Sequence, residues 1–160
     1  MGDLKQLYDE DIVAWSEHQA DTLRAAGRSG SNLNLDWENL AEEIGDLGRS
    51  YRASLKSHIR RIVQHLVKLQ YSPAVDPRNG WRRTIMLARF EIEDLLKESP
   101  SLRRTVGQVV ESVMKSGVEL AVADLAEREE VFALGARIVR RVTYTDDQIL
   151  GDWFPPEPQG

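Results

Sequence analysis

Apolar positions recur at steps of three and four along nearly the whole chain, which is the period of an amphipathic helix. A first helix is predicted from about Asp9 to Ala26, with Ile12, Trp15, Leu23 and Ala26 on one face. Gly27 stands where a C-cap is needed, and GRSGSN reads as a loop. The second helix is the spine. Asp36 serves as its N-cap, with Leu35 and Leu40 as a hydrophobic staple. Its stripe then runs through Trp37, Leu40, Ile44, Leu47, Tyr51, Leu55, Ile62, Leu66 and Leu69, one seam that stops near Tyr71 before Ser72-Pro73. That is about 35 residues, or roughly 50 Å of continuous helix. Gly45 and Gly48 inside it allow either the close approach of a partner helix or a kink.

SPAVDPRNG, residues 72 to 80, is a loop by its proline, aspartate and glycine content. A third helix follows from Trp81 to Glu98, with Trp81, Ile85, Ala88, Ile92 and Leu95 on one face. Ser99 and Pro100 suit the cap and first turn of a fourth helix, which carries Leu102, Val106, Val109, Val113, Gly117 and Leu120 and ends near Glu127. Beyond it the pattern weakens, and VFALGARIVRRV fits a helix, a strand or an extended strap. TDDQ at 145 to 148 is a capping box for one short turn. In WFPPEPQG, Trp153 and Phe154 are placed to tuck onto the bundle. The fold class is therefore all-α: a bundle of four main helices, one long and central, with a short C-terminal appendage. One helical domain spans 1–160, with the main bundle at 8–127, a strap with a short helix at 128–154, and a loose tail at 155–160.

Length and composition agree. A chain of 160 residues is one domain by default, and at this size roughly 70% of the unfolded surface is buried on folding. There is no cysteine, which excludes disulfides, thiolate ligands and a cysteine nucleophile and suits a reducing cytoplasm. No apolar run approaches the roughly 18 residues of a membrane span. The acidic start MGDLKQLYDEDIVAW is not a signal peptide, and Gln6 does not suit myristoylation. The formal net charge of −5 weighs against general nucleic-acid binding.

Candidate chemistry gathers in HIRRIVQHLVKLQY, residues 58 to 71. His58 and His65 lie on or beside the seam, where a histidine is more often a core residue than a ligand. Seven residues apart, they are roughly 10 Å apart along the axis and cannot share one metal by themselves. The Glu-x-x-His pattern of di-iron bundles and His-Glu-x-x-His are both absent, so no metal and no cofactor is expected. Arg61, His65 and Lys68, spaced i, i+4, i+7, form a polar rail along the seam. A histidine between cations is held neutral and can act as a base or bind an anion. The plainer reading is two cations with stems on the core and heads in water.

Charge along the second helix is sorted. Asp36, Glu38, Glu42, Glu43 and Asp46 crowd its first third, whereas from Leu47 to Tyr71 there are six cations and no acid. The third helix begins with Arg78, Arg82 and Arg83 and ends with Glu91, Glu93, Asp94 and Glu98. That order opposes the helix dipole, so helix stability does not explain it. The short loop makes the two helices antiparallel, with both basic ends at the loop beside Tyr71 and Trp81. Arg61, His65, Lys68, Tyr71, Trp81, Arg82 and Arg83 are therefore the candidate polar patch.

Several blocks, LDWENLAEEIGDLGRS, HLVKLQYSP, GWRRTI, SPSL and YTDDQIL, resemble in order the bacterial family called "domain of unknown function 29". The resemblance runs from Tyr8 to about Phe154 and departs over 127 to 142. It implies a mostly helical fold and brings no activity and no site residues. Three readings of function remain. The first is a helical interaction module that pairs with itself as a homodimer or with another protein, with nucleic acid possible but not favoured and no membrane. The second is a dimeric RNase of the toxin type using Arg60 and His65, although these point about 140° apart on a straight helix. The third is a metal-assisted hydrolase. No serine-centred, phosphate-cradling or dinucleotide motif is present.

Overall fold

The computed structural model describes residues 3–131 and 133–158. Among them there is no strand. The helices are α1 (Leu4–Glu10), α2 (Ile12–Arg28), α3 (Trp37–Tyr71), α4 (Arg78–Glu98), α5 (Val106–Glu127), α6 (Ala133–Val139) and α7 (Asp146–Leu150), with a 3₁₀ segment over Pro100–Thr105. The all-α expectation holds, and α3 is continuous over its 35 residues. The single domain expected over 1–160 is gathered into two compact units. One joins Met1–Ser54 to Asp94–Thr105, and the other joins Leu55–Glu93 to Val106–Gly160.

In the first unit, the expected helix from Asp9 to Ala26 is two helices that meet at Asp11. The Asp11 carboxylate accepts from Ala14 N at 2.9 Å and so starts α2 afresh. It also accepts from Ser101 N at 2.7 Å and Ser101 Oγ at 2.9 Å, while Ser99 Oγ accepts from Val13 N at 3.3 Å. The starts of α2 and of the 3₁₀ segment thus cap one another. Such long-range caps leave no periodic trace in sequence. Gly27 is helical rather than a C-cap, and a Cβ there would lie 2.7 Å from Trp37 Cβ.

The seam needs a second correction in this unit. Leu40 and Leu47 are exposed, and the buried line on α3 is Ala41 and Gly48, one residue round the helix. Small residues explain the offset. Val13, Ser16 and Ala20 of α2 are buried, and a Cβ on Gly48 would meet Ser16 Oγ at 3.0 Å. Backbones approach so closely here that large side chains are turned away.

In the second unit the seam is as expected. Leu55, Ile62, Leu66 and Leu69 are fully buried, and Trp81, Ile85, Ala88 and Ile92 on α4 are buried beside them. α5 closes on α3 at Gly117, where a Cβ would meet Val63 Cγ1 at 2.7 Å. α4 begins at Arg78, three residues before the expected Trp81, and Trp81 N donates to Pro77 O at 3.0 Å. Of the open segment 128 to 142, Ala133–Val139 is a helix. The capping box at α7 is present: Thr145 Oγ1 accepts from Gln148 N, and Gln148 Oε1 accepts from Thr145 N. In the expected loose tail, Pro155 is buried and Glu157 lies 3.5 Å from Arg82.

Candidate functional site

The candidate patch lies in the second unit, where the last turns of α3 run antiparallel to the first turns of α4. Lys68 on α3 and Trp81 on α4 meet near the loop, with the ammonium 4.9 Å from the ring centroid. Both ends of that contact are used further. Lys68 Nζ donates to Asp124 Oδ2 at 3.0 Å, and Gln64 Nε2 donates to the same oxygen at 2.8 Å. The guanidinium of Arg128 lies 5.7 Å from the Trp81 centroid. Trp81 is 8% exposed, so its ring is closed to a nucleobase or other flat ligand. The residues that complete this cluster, Asp124 and Arg128, come from α5 and just beyond it. Nothing in the spacing of α3 and α4 points to them.

His65 is partly buried and turned onto its own helix, with Nδ1 2.9 Å from Arg61 O. Burial holds its pKa below the ordinary value, and Lys68 and Arg61 add to the lowering; the backbone contact and Asp124 oppose it. His58 is lowered as well, by burial first and then by Arg61, with Glu91 opposing. Its Nδ1 is buried with no hydrogen-bond partner. Arg60 Nε donates to Ser116 Oγ at 3.0 Å. Tyr71 accepts from Gln70 Nε2 at 3.3 Å, and Gln70 Oε1 accepts from Tyr144 at 2.8 Å. Burial raises the Tyr144 hydroxyl far above its ordinary value, so it stays a donor.

The arginines at the start of α4 hold chain segments together. Arg78 is 6% exposed and donates to Leu69 O at 2.7 Å and Ser72 O at 3.1 Å, satisfying the orphan carbonyls where α3 ends. Arg82 lies 3.5 Å from Glu157 and 6.0 Å from the Phe154 centroid. Arg89, which the sequence did not single out, donates to Ile149 O, Gln148 O and Trp153 O and lies 4.9 Å from the Phe154 ring. Trp153 packs 6.0 Å from Tyr144. Both terminal aromatics therefore tuck in as expected, and cations do the holding.

The structure thus brings together Lys68 and Trp81, places His65 beside them facing backbone, and engages Arg82 with the C-terminal segment. Arg61 and Arg83 remain exposed, without an ion pair among the described residues. No group of three histidine, aspartate or glutamate side chains among the described residues could hold a metal ion. No helix among them is long and apolar enough to cross a membrane. Large apolar side chains also stand out to solvent in this unit: Met86 at 47%, Leu87 at 57% and Phe90 at 57% exposure on α4, and elsewhere Val75, Leu120 and Ile138.

A family model described as a domain of unknown function, DUF29, matches residues 7–154. None of the curated proteins matches the chain. A crystal structure of an alpha-helical protein of unknown function from Rhodospirillum rubrum is similar at 27% identity and a TM-score of 0.65. The match covers 92% of this chain and 98% of that one.

Proposed function

The chain belongs to the DUF29 family, and we propose that it works by association, as a helical interaction module of the bacterial cytoplasm that pairs with a second copy of itself. The observation that carries this reading is a division of labour on the second unit. Three polar groups suited to chemistry are engaged within the fold, Lys68 with Asp124 and Trp81, Arg60 with Ser116, and His65 with the backbone of its own helix. Three large apolar side chains instead stand in water on α4. A soluble surface gains by hiding such a cluster, and a partner can do so. The RNase reading needs Arg60 and His65 turned toward one substrate, and neither contact favours it. The test is the mass of the full chain by light scattering across a concentration series. Mass that rises toward a dimer supports the reading, and a monomer at every concentration refutes it.

A further inference from the structure

The start of α4 carries more cations than the fold consumes. Arg78 satisfies the end of α3, while Arg82 and Arg89 hold the C-terminal segment. Arg83 is exposed and has no such task among the described residues. At about 100° per residue, Arg83, Leu87 and Phe90 share one face of α4, with Met86 close beside it. Glu91 and Glu93 fall on the two edges of that face near its other end. All six residues are exposed. The face is basic at one end, apolar in the middle and acidic at the other, an order that works against the dipole of the helix bearing it.

A two-fold partner is the occupant that answers all three parts at once. In an isologous contact each residue meets the patch that carries its symmetry mate. With the axis passing α4 between Leu87 and Phe90, Leu87 of one copy faces Phe90 of the other. Each Arg83 then lands at the acidic end of its partner. Glu93 already has an interaction within the chain, and a carboxylate has room for further donors. Resting on the association reading above, we infer that two copies pair antiparallel through this face of α4, Arg83 against Glu91 and Glu93. One helix on another covers less than the roughly 1,600 Å² of a standard interface. Interfaces of that size belong to the weak, transient class, so the dimer is expected to be reversible.

Sedimentation equilibrium of the full chain tests the face itself. Phe90→Glu lies at an exposed position, so helicity should be unchanged while the dissociation constant rises about tenfold or more. Arg83→Glu in one chain, and Glu91→Lys with Glu93→Lys in another, should each weaken self-pairing, because like charges then meet across the axis. Mixed one to one, these two variant chains should form a heterodimer at the wild-type affinity, since both ends regain opposite charges. Recovery in the mixture, independent of how any single variant folds, is the expected result. If the wild type dimerises but neither Phe90→Glu nor the mixture behaves so, this face is wrong and association proceeds through another. If the wild type stays monomeric, the association reading fails with it.

Discussion

The ammonium of Lys68 stands 4.9 Å from the centroid of Trp81 while it donates 3.0 Å to Asp124. One cation thus ties α3 to α4 and to α5 within a single unit. Its side chain is 13% exposed and that of Asp124 is 33% exposed, so the pair is shielded from water on one side. Lys68→Met keeps the stem and removes the charge, leaving Asp124 with Gln64 alone. A loss of about 1–3 kcal/mol is expected, the cost of stranding one half of a partly buried pair. Urea unfolding checks it. An unchanged midpoint would show that the contact is incidental.

Asp11 is expected to matter more than an ordinary cap. It starts α2 through Ala14 and holds both polar groups of Ser101. Asp11→Ala should therefore cost more than the roughly 1 kcal/mol typical of a lost N-cap, about 2–4 kcal/mol. Ser101→Ala removes only the hydroxyl bond and should cost about 1 kcal/mol. Equal losses in the two variants would contradict the shared-cap account.

Two helical glycines should respond in opposite directions. Gly117→Ala drives a Cβ to 2.7 Å from Val63 Cγ1 and 3.1 Å from Arg60 O. A backbone atom cannot step aside, so overpacking of about 1–3 kcal/mol is expected. At Gly45 the nearest atoms are Arg49 Nη1 at 3.5 Å and Ala20 Cβ at 3.9 Å. Gly45→Ala should then stabilise the protein by about 0.5–1 kcal/mol through helix propensity. Thermal melts of both variants decide it.

The two lowered histidines set a pH dependence. His58 and His65 have folded values below the 6.5 of an open chain, so as pH falls the unfolded state takes up protons first. Stability is full above that value and declines as pH drops through it toward the folded values. The urea midpoint should fall between about pH 7.5 and pH 5.5, and the fall should shrink in His65→Gln. A slope identical in wild type and variant would remove His65 from the account.

The C-terminal segment should loosen when Arg89 is shortened. Its guanidinium serves three carbonyls in 148–153, which a lysine cannot reach together. In Arg89→Lys, amide exchange over 146–154 should speed by about tenfold or more while the core of α3 stays protected. Uniform exchange across the chain would mean the segment is not separately held.

How far the sequence speaks depends on the range of the interaction. Periodicity finds α3, α4 and α5 because each buries a repeating stripe of side chains such as Leu55, Ile62, Leu66 and Leu69. It misplaces the seam at Leu40 and Leu47 because close backbone packing on Gly48 selects small residues, which carry little hydropathy signal. It misses the break at Asp11 because the partner that fixes it, Ser101, lies 90 residues away. The same holds at the candidate patch. Lys68, His65 and Trp81 are legible on their helices, while Asp124 and Glu157, which engage Lys68 and Arg82, and Arg128, which lies over the Trp81 ring, are not. Only with those partners in place do Arg83 and its apolar neighbours on α4 stand out as unused.

Whether this chain associates with itself is read from sedimentation equilibrium of the wild-type full chain. Over a range of about 1 to 200 µM, wide enough to catch a weak, reversible dimer, the weight-average mass should rise reversibly from 18.2 kDa toward twice that value. The rise should weaken as salt is added. A mass that stays at 18.2 kDa throughout would show that the chain does not pair with itself.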